Sequence, residues 1–105
     1  MRALALITTL ATREDARRIG RELVERRLAA CAQISAIDSV YRWQGAIHEE
    51  PEFRLLLKTT EARCAALEQA LLELHPYELP AIHAFELERA HPPYAAWIAA
   101  ETEGE

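Results

Sequence analysis

The stretch CAQISAIDSVYRWQGAIHEEPEFRLLLKTT, residues 31–60, decides the fold. From Cys31 the apolar residues keep a period of two, with Ala32, Ile34 and Ala36 on one face, as in a half-buried strand. Val40, Tyr41 and Trp43 fall out of that phase, and a bulge near Ala36 and Ile37 accounts for the change. Gln44-Gly45-Ala46 contains the sole glycine in the middle of the chain and is expected to reverse it as a hairpin. On the return, Phe53, Leu55 and Leu57 share a face. Pro51 has no N–H to give to a ladder, so its part of the strand belongs at an edge, at a bulge or outside the sheet. Glu49, Glu50 and Glu52 could supply paired carboxylates for acid–base work, but their plainer reading is a solvated loop.

Outward from the hairpin, residues 3–9 form a short apolar run closed by Thr8 and Thr9, which reads as a buried strand. Thr12-x-x-Asp15 resembles a capping box, with Glu14 and Asp15 suited to the positive end of a helix. Ala16, Ile19, Gly20, Leu23 and Leu28 then fall near one helical face. Arg17, Arg18, Arg21, Arg26 and Arg27 are interleaved with Glu22 and Glu25, the pattern of a solvated helix surface rather than an anion site. On the C-terminal side, Thr59 and Thr60 are candidate caps for a second helix carrying Cys64, Leu67, Leu71 and Leu74, which stops before Pro76. Residues 81–87 alternate, with Ala81, His83, Phe85 and Leu87 opposite Ile82, Ala84 and Glu86, and predict a fourth strand. His91-Pro92-Pro93 opens a short final helix with Tyr94, Trp97 and Ile98 on its apolar face; Glu101, Glu103 and Glu105 form a solvated tail.

The order β-α-β-β-α-β with a terminal helix is an α+β, ferredoxin-like sandwich of one domain, residues 1–105, with two helices on one side of an antiparallel sheet. One short helix cannot cover the other side, and a long hairpin bearing Tyr41 and Trp43 overruns the sheet. Both features point to closed homo-oligomers formed through sheet edges.

Composition sets the outer limits. With 105 residues, half of them apolar, there is core for one domain and no more. A net charge of -5 argues against a dedicated nucleic-acid or anionic-membrane partner, which positive fields capture. Cys31 and Cys64 make no multi-bridge framework, and no export signal or membrane span is evident at the N-terminus, so the expected compartment is the cytoplasm. Glycines 20, 45 and 104 are isolated, which excludes a phosphate-binding loop, and Ser35 and Ser39 lie inside the second strand rather than at a nucleophile elbow. No enzyme is expected.

Metal chemistry rests on the histidines. His75, His83 and His91 recur every eight residues, too far apart for a helical pair on one ion. His83 reads as a satisfied strand residue and His91 as a cap. His75, in a Pro-bracketed loop facing solvent or a neighbouring subunit, is the best ligand candidate. Both cysteines read as small hydrophobes.

Five ordered blocks carry a family resemblance: Cys31-Ala-Gln-Ile34, Ser39-Val-Tyr-Arg-Trp-Gln-Gly45, Leu57-Lys-Thr-Thr60, Leu74-His-Pro-Tyr-Glu-Leu-Pro80 and Tyr94-Ala-Ala-Trp97. Together they resemble the divalent-cation tolerance proteins of the CutA family, from the first strand to the last helix. The resemblance implies a ferredoxin-like subunit in a tight trimer, similar to PII-type signalling proteins. It also implies a role in tolerance of copper or another divalent cation, with no required cofactor and no established reaction. Where members have a described copper site, a cysteine ends the first strand and two adjacent histidines precede the Pro-Tyr; those positions here are Thr8, Leu74 and His75. The other reading is a PII-like small-ligand sensor, in which Lys58, Tyr41, Trp43 and Tyr77 hold a carboxylate or phosphate near a subunit boundary.

Overall fold

The computed structural model describes residues 2–103, so Glu105 of the expected acidic tail lies outside the described residues. The elements are β1 (Ala3–Leu10), α1 (Arg13–Glu25), β2 (Cys31–Trp43), β3 (Ala46–Thr60), α2 (Glu61–Leu74), β4 (His83–Glu86) and α3 (Pro92–Glu101). The sheet order is β2-β3-β1-β4 and every neighbouring pair is antiparallel, which is the ferredoxin-like arrangement. Period-two alternation sends Leu6, Leu10, Leu55 and Leu57 to one face, where they pack with Ala16, Ile19 and Leu23 of α1 and Leu67, Ala70 and Leu71 of α2. Each fully buried leucine contributes about 1.5–3 kcal/mol. The opposite face is covered at one end, where Ile98 of α3 meets Ala3 and Ala30.

Local chemistry sets the element ends. Thr12 caps α1, its Oγ1 accepting from the Asp15 N–H at 3.0 Å. Arg27 leaves the helix in the left-handed region at φ 58°, with the N–H groups of Arg27 and Leu28 returning to the Val24 and Leu23 carbonyls. That turn carries Leu28 into the core from beyond the helix, not as part of its stripe. A Cβ on Gly20 would stand 3.0 Å from the Ala32 Cβ and 3.2 Å from the Leu55 Cδ1, so the bare glycine lets α1 seat closely on the sheet. Thr60 is the N-cap residue of α2 without a side-chain capping bond, and the Thr59 hydroxyl instead donates to the buried Leu28 carbonyl at 2.8 Å.

The hairpin differs from expectation in two respects. Its register runs without a slip from Cys31↔Lys58 to Trp43↔Ala46, so there is no bulge at Ala36 and Ile37. The apolar phase breaks because this length of ribbon runs past the helices and no longer has one face in a core. Gln44 and Gly45 turn it with φ of 51° and 81°. β1 ends opposite Phe53, so Pro51 sits in a part of β3 with no neighbour on that side, the edge position that proline tolerates. Glu49, Glu50 and Glu52 are strand residues, not a loop. The fourth strand is shorter than residues 81–87, and all four of its side chains are exposed, His83 among them; it is an outer strand with no helix laid over it. Trp97 is 41% exposed while Ile98 is fully buried, and Glu101 belongs to α3 rather than to a tail.

Candidate functional site

The residues singled out in the sequence fall at three places. The first is the loop after α2. Pro76 disfavours helical backbone at the residue before it, and His75 is accordingly extended at φ -77°, ψ 132°. This turns the imidazole inward against the end of β1, where it is 9% exposed. Its Nε2 lies 3.0 Å from the Thr9 carbonyl and 3.0 Å from the Thr8 Oγ1, and its Nδ1 accepts from the Tyr77 N–H at 3.2 Å. A carbonyl can only accept and an amide N–H only donate, so these contacts fix the Nε2–H tautomer. Burial lowers the His75 pKa below its usual value, against the opposing pull of the Thr9 carbonyl and of Asp15 and Glu52. The ring expected to face solvent or a neighbouring subunit is instead turned into its own chain, where the Thr9 carbonyl accepts from it.

Tyr77 extends this cluster. Its ring is tilted at 58° to His75 with centroids 4.8 Å apart, and its hydroxyl donates to the Glu52 Oε2 at 2.7 Å. Glu52 is only 7% exposed, so burial and the adjacent carboxylate together push the Tyr77 hydroxyl pKa upward. The second place is the projecting hairpin. The Tyr41 hydroxyl donates to Glu50 and its ring stacks on His48, centroids 5.4 Å apart; the bond to Glu50 holds its pKa up, at about 12. Trp43 is the last residue of β2, half-buried and paired with Ala46.

The third place is Lys58, about 20 Å along β3 from Glu52 at the usual strand rise. It lies on the face shared with α3, between Ala5 and Cys31 in the sheet register. Its Nζ donates to the Tyr94 hydroxyl at 3.1 Å and to the Gln33 Oε1 at 3.3 Å, and sits 5.4 Å from the Tyr94 ring centroid. Lys58, Tyr41, Trp43 and Tyr77 are therefore not assembled into one site within the chain. Thr8, Glu52, Gln33 and Tyr94 are the partners that local patterns did not connect to them, since each contact joins residues 25 or more apart in sequence. Among the described residues no group of three or more His, Cys, Asp or Glu side chains converges on a point where a metal ion would sit.

A four-stranded antiparallel sheet with two helices on one face, a third at one end of the other, and a hairpin overrunning both defines a small ferredoxin-like subunit with an open sheet face. Its family follows from comparison: the profile of the CutA1 divalent ion tolerance protein matches residues 4–101, and the chain belongs to that family. This is a non-catalytic family. A probable divalent-cation tolerance protein cutA homolog of Encephalitozoon cuniculi is 42% identical over 97 residues, covering 92% of this chain and 85% of that protein. The CutA of Thermus thermophilus is 39% identical over 98 residues, covering 92% and 95%. Among solved structures, CutA from Synechococcus elongatus superposes with a TM-score of 0.94 at 36% identity, over 97% of this chain and 91% of that one. The periplasmic divalent cation tolerance protein CutA from Archaeoglobus fulgidus gives 0.93 at 32% identity, over 96% and 99%.

Proposed function

We propose that this chain is the subunit of a cytoplasmic homotrimer that serves tolerance of divalent cations, copper among them, by binding the ion. The observation that carries the reading is the incomplete cover of the sheet. Ile7 and Leu56 pair across β1 and β3 on the face away from α1 and α2, Phe85 beside them is 48% exposed, and among the described residues β2 and β4 end the sheet with unpaired edges. An open face of that kind between two free edges is stabilised by further copies. Val40 at 67% and Ile47 at 63% exposure, with Tyr41 and Trp43 near them, suit the hairpin to the same role of subunit contact. Two free cysteines agree with a reducing compartment.

In this reading His75 is the cation's ligand from the chain. Its Nδ1 lone pair is held by the Tyr77 N–H, so an ion takes that nitrogen only in exchange for the hydrogen bond, and the remaining ligands come from water or a second copy. Such a partial donor set gives modest affinity. Two measurements test the proposal. Light scattering should give three times the 11.9 kDa chain mass. Titration of Cu(II) should show saturable binding that is lost in His75→Ala; identical isotherms would remove His75 from the reading, and a monomeric mass would overturn the assembly.

A further inference from the structure

Lys58 is the one lysine among twelve basic residues, and the six ion pairs of the described residues leave it out. The residue is half-buried, and its ammonium is met by a phenol oxygen, an amide oxygen and a ring face. These neutral partners orient the charge without neutralising it. The sheet row through it reads Phe85, Ala5, Lys58, Cys31, and the next row on that face His83, Ile7, Leu56, Gln33, with no acid in either. The surroundings therefore call for an anion.

Donor geometry narrows its class. Because the Tyr94 oxygen accepts from Lys58, its own O–H hydrogen remains to be donated, and the Cys31 Sγ at 3.9 Å is only a weak partner, one that can itself be the donor. An ammonium N–H and a phenol O–H thus stand side by side, their heavy atoms 3.1 Å apart, as a pair of donors for the two oxygens of one carboxylate. A second net charge has no cation to meet here, which favours a monoanion over phosphate. The lack of an acid beside Lys58 leaves an α-ammonium group without a partner and so disfavours amino acids. Trp97, stacked on Tyr94 at 5.8 Å and 41% exposed, offers flat apolar surface to a ligand's body. We propose that Lys58 and Tyr94 bind a small aromatic monocarboxylate. This site is separate from the cation ligand at His75 and is tested without metal.

Calorimetric titration of phenylacetate into the native assembly should show saturable binding at one site per chain, with 2-phenylethylamine not binding and inorganic phosphate binding more weakly. Lys58→Met should weaken phenylacetate at least tenfold at unchanged oligomeric mass. Gln33→Glu places a carboxylate where the amide now meets Lys58, supplies the missing counter-charge from within the chain, and should weaken binding to a similar degree while the fold is retained. Absence of saturable binding to wild type, equal affinity in wild type and Gln33→Glu, or tighter binding of phosphate overturns the proposal. So does a change of oligomeric mass in Lys58→Met, which assigns the ammonium to a contact between copies.

Discussion

Arg27 occupies a backbone position that favours glycine, and its side chain explains its presence there. At φ 58° a non-glycine residue costs about 1 kcal/mol, while the Arg27 guanidinium reaches the Glu101 carbonyl at 3.2 Å and ties the end of α1 to α3. Arg27→Ala removes the tie and keeps the strain; Arg27→Gly removes both. Chemical denaturation should find the glycine variant more stable than the alanine variant by about 0.5–1 kcal/mol, and equal stabilities would show the turn to be unstrained. His75 sets a second test at this scale. Its pKa is lowered in the folded chain, so the unfolded chain takes up a proton first as pH falls. The stability it contributes is complete above about pH 6.5 and declines as pH drops toward the folded value. The fall in melting temperature between about pH 7 and pH 5 should be shallower in His75→Gln than in wild type, measured without metal.

At the scale of elements, the β2–β3 turn is the place where a substitution has an unambiguous sign. Gln44 and Gly45 both have positive φ, as a type I′ turn requires, and among the described residues no atom beyond Gly45 and its two chain neighbours stands within 4 Å of where a Gly45 Cβ would be. Gly45→Ala therefore costs backbone energy alone, about 1 kcal/mol, whereas Gln44→Asn should raise the melting temperature because asparagine tolerates the left-handed region. An unchanged melting temperature in Gly45→Ala would mean that the tip does not contribute to cooperative unfolding. This turn was legible in the sequence because a single glycine between two period-two runs admits one local solution. The order of elements was legible for the same reason: Thr12, Pro76 and Pro92 mark helix boundaries by chemistry confined to their neighbours. The straight register past Ala36 was not, since alternation reports a core face and that ribbon has none. Nor were the burial of Glu52 and the pairing of Lys58 with Tyr94, because the partners are 25 and 36 residues away and nothing local encodes the meeting. The inward turn of His75 lay between these cases: Pro76 fixed where α2 stops, but the Thr9 carbonyl that claims the ring belongs to another element.

For the whole molecule, the uncovered face is the feature with the largest consequence. If it is buried between copies, Ile7→Glu places a carboxylate in that contact and should yield a species of single-chain mass by light scattering with an unchanged far-ultraviolet spectrum; an intact oligomer would exclude this face from the contact. Strand order has a different kind of consequence. β1 emerges first during synthesis, yet it lies in the middle of the sheet, paired from Ala3↔Thr60 on one side and Leu4↔Glu86 on the other. The β2–β3 ribbon can zip as soon as its turn is made, in about 1–10 μs, whereas β1 must wait for partners made much later. The nascent chain thus holds its central strand apart from the rest for seconds on the ribosome, and that interval, rather than the finished fold, is where it is most open to aggregation and to capture by chaperones.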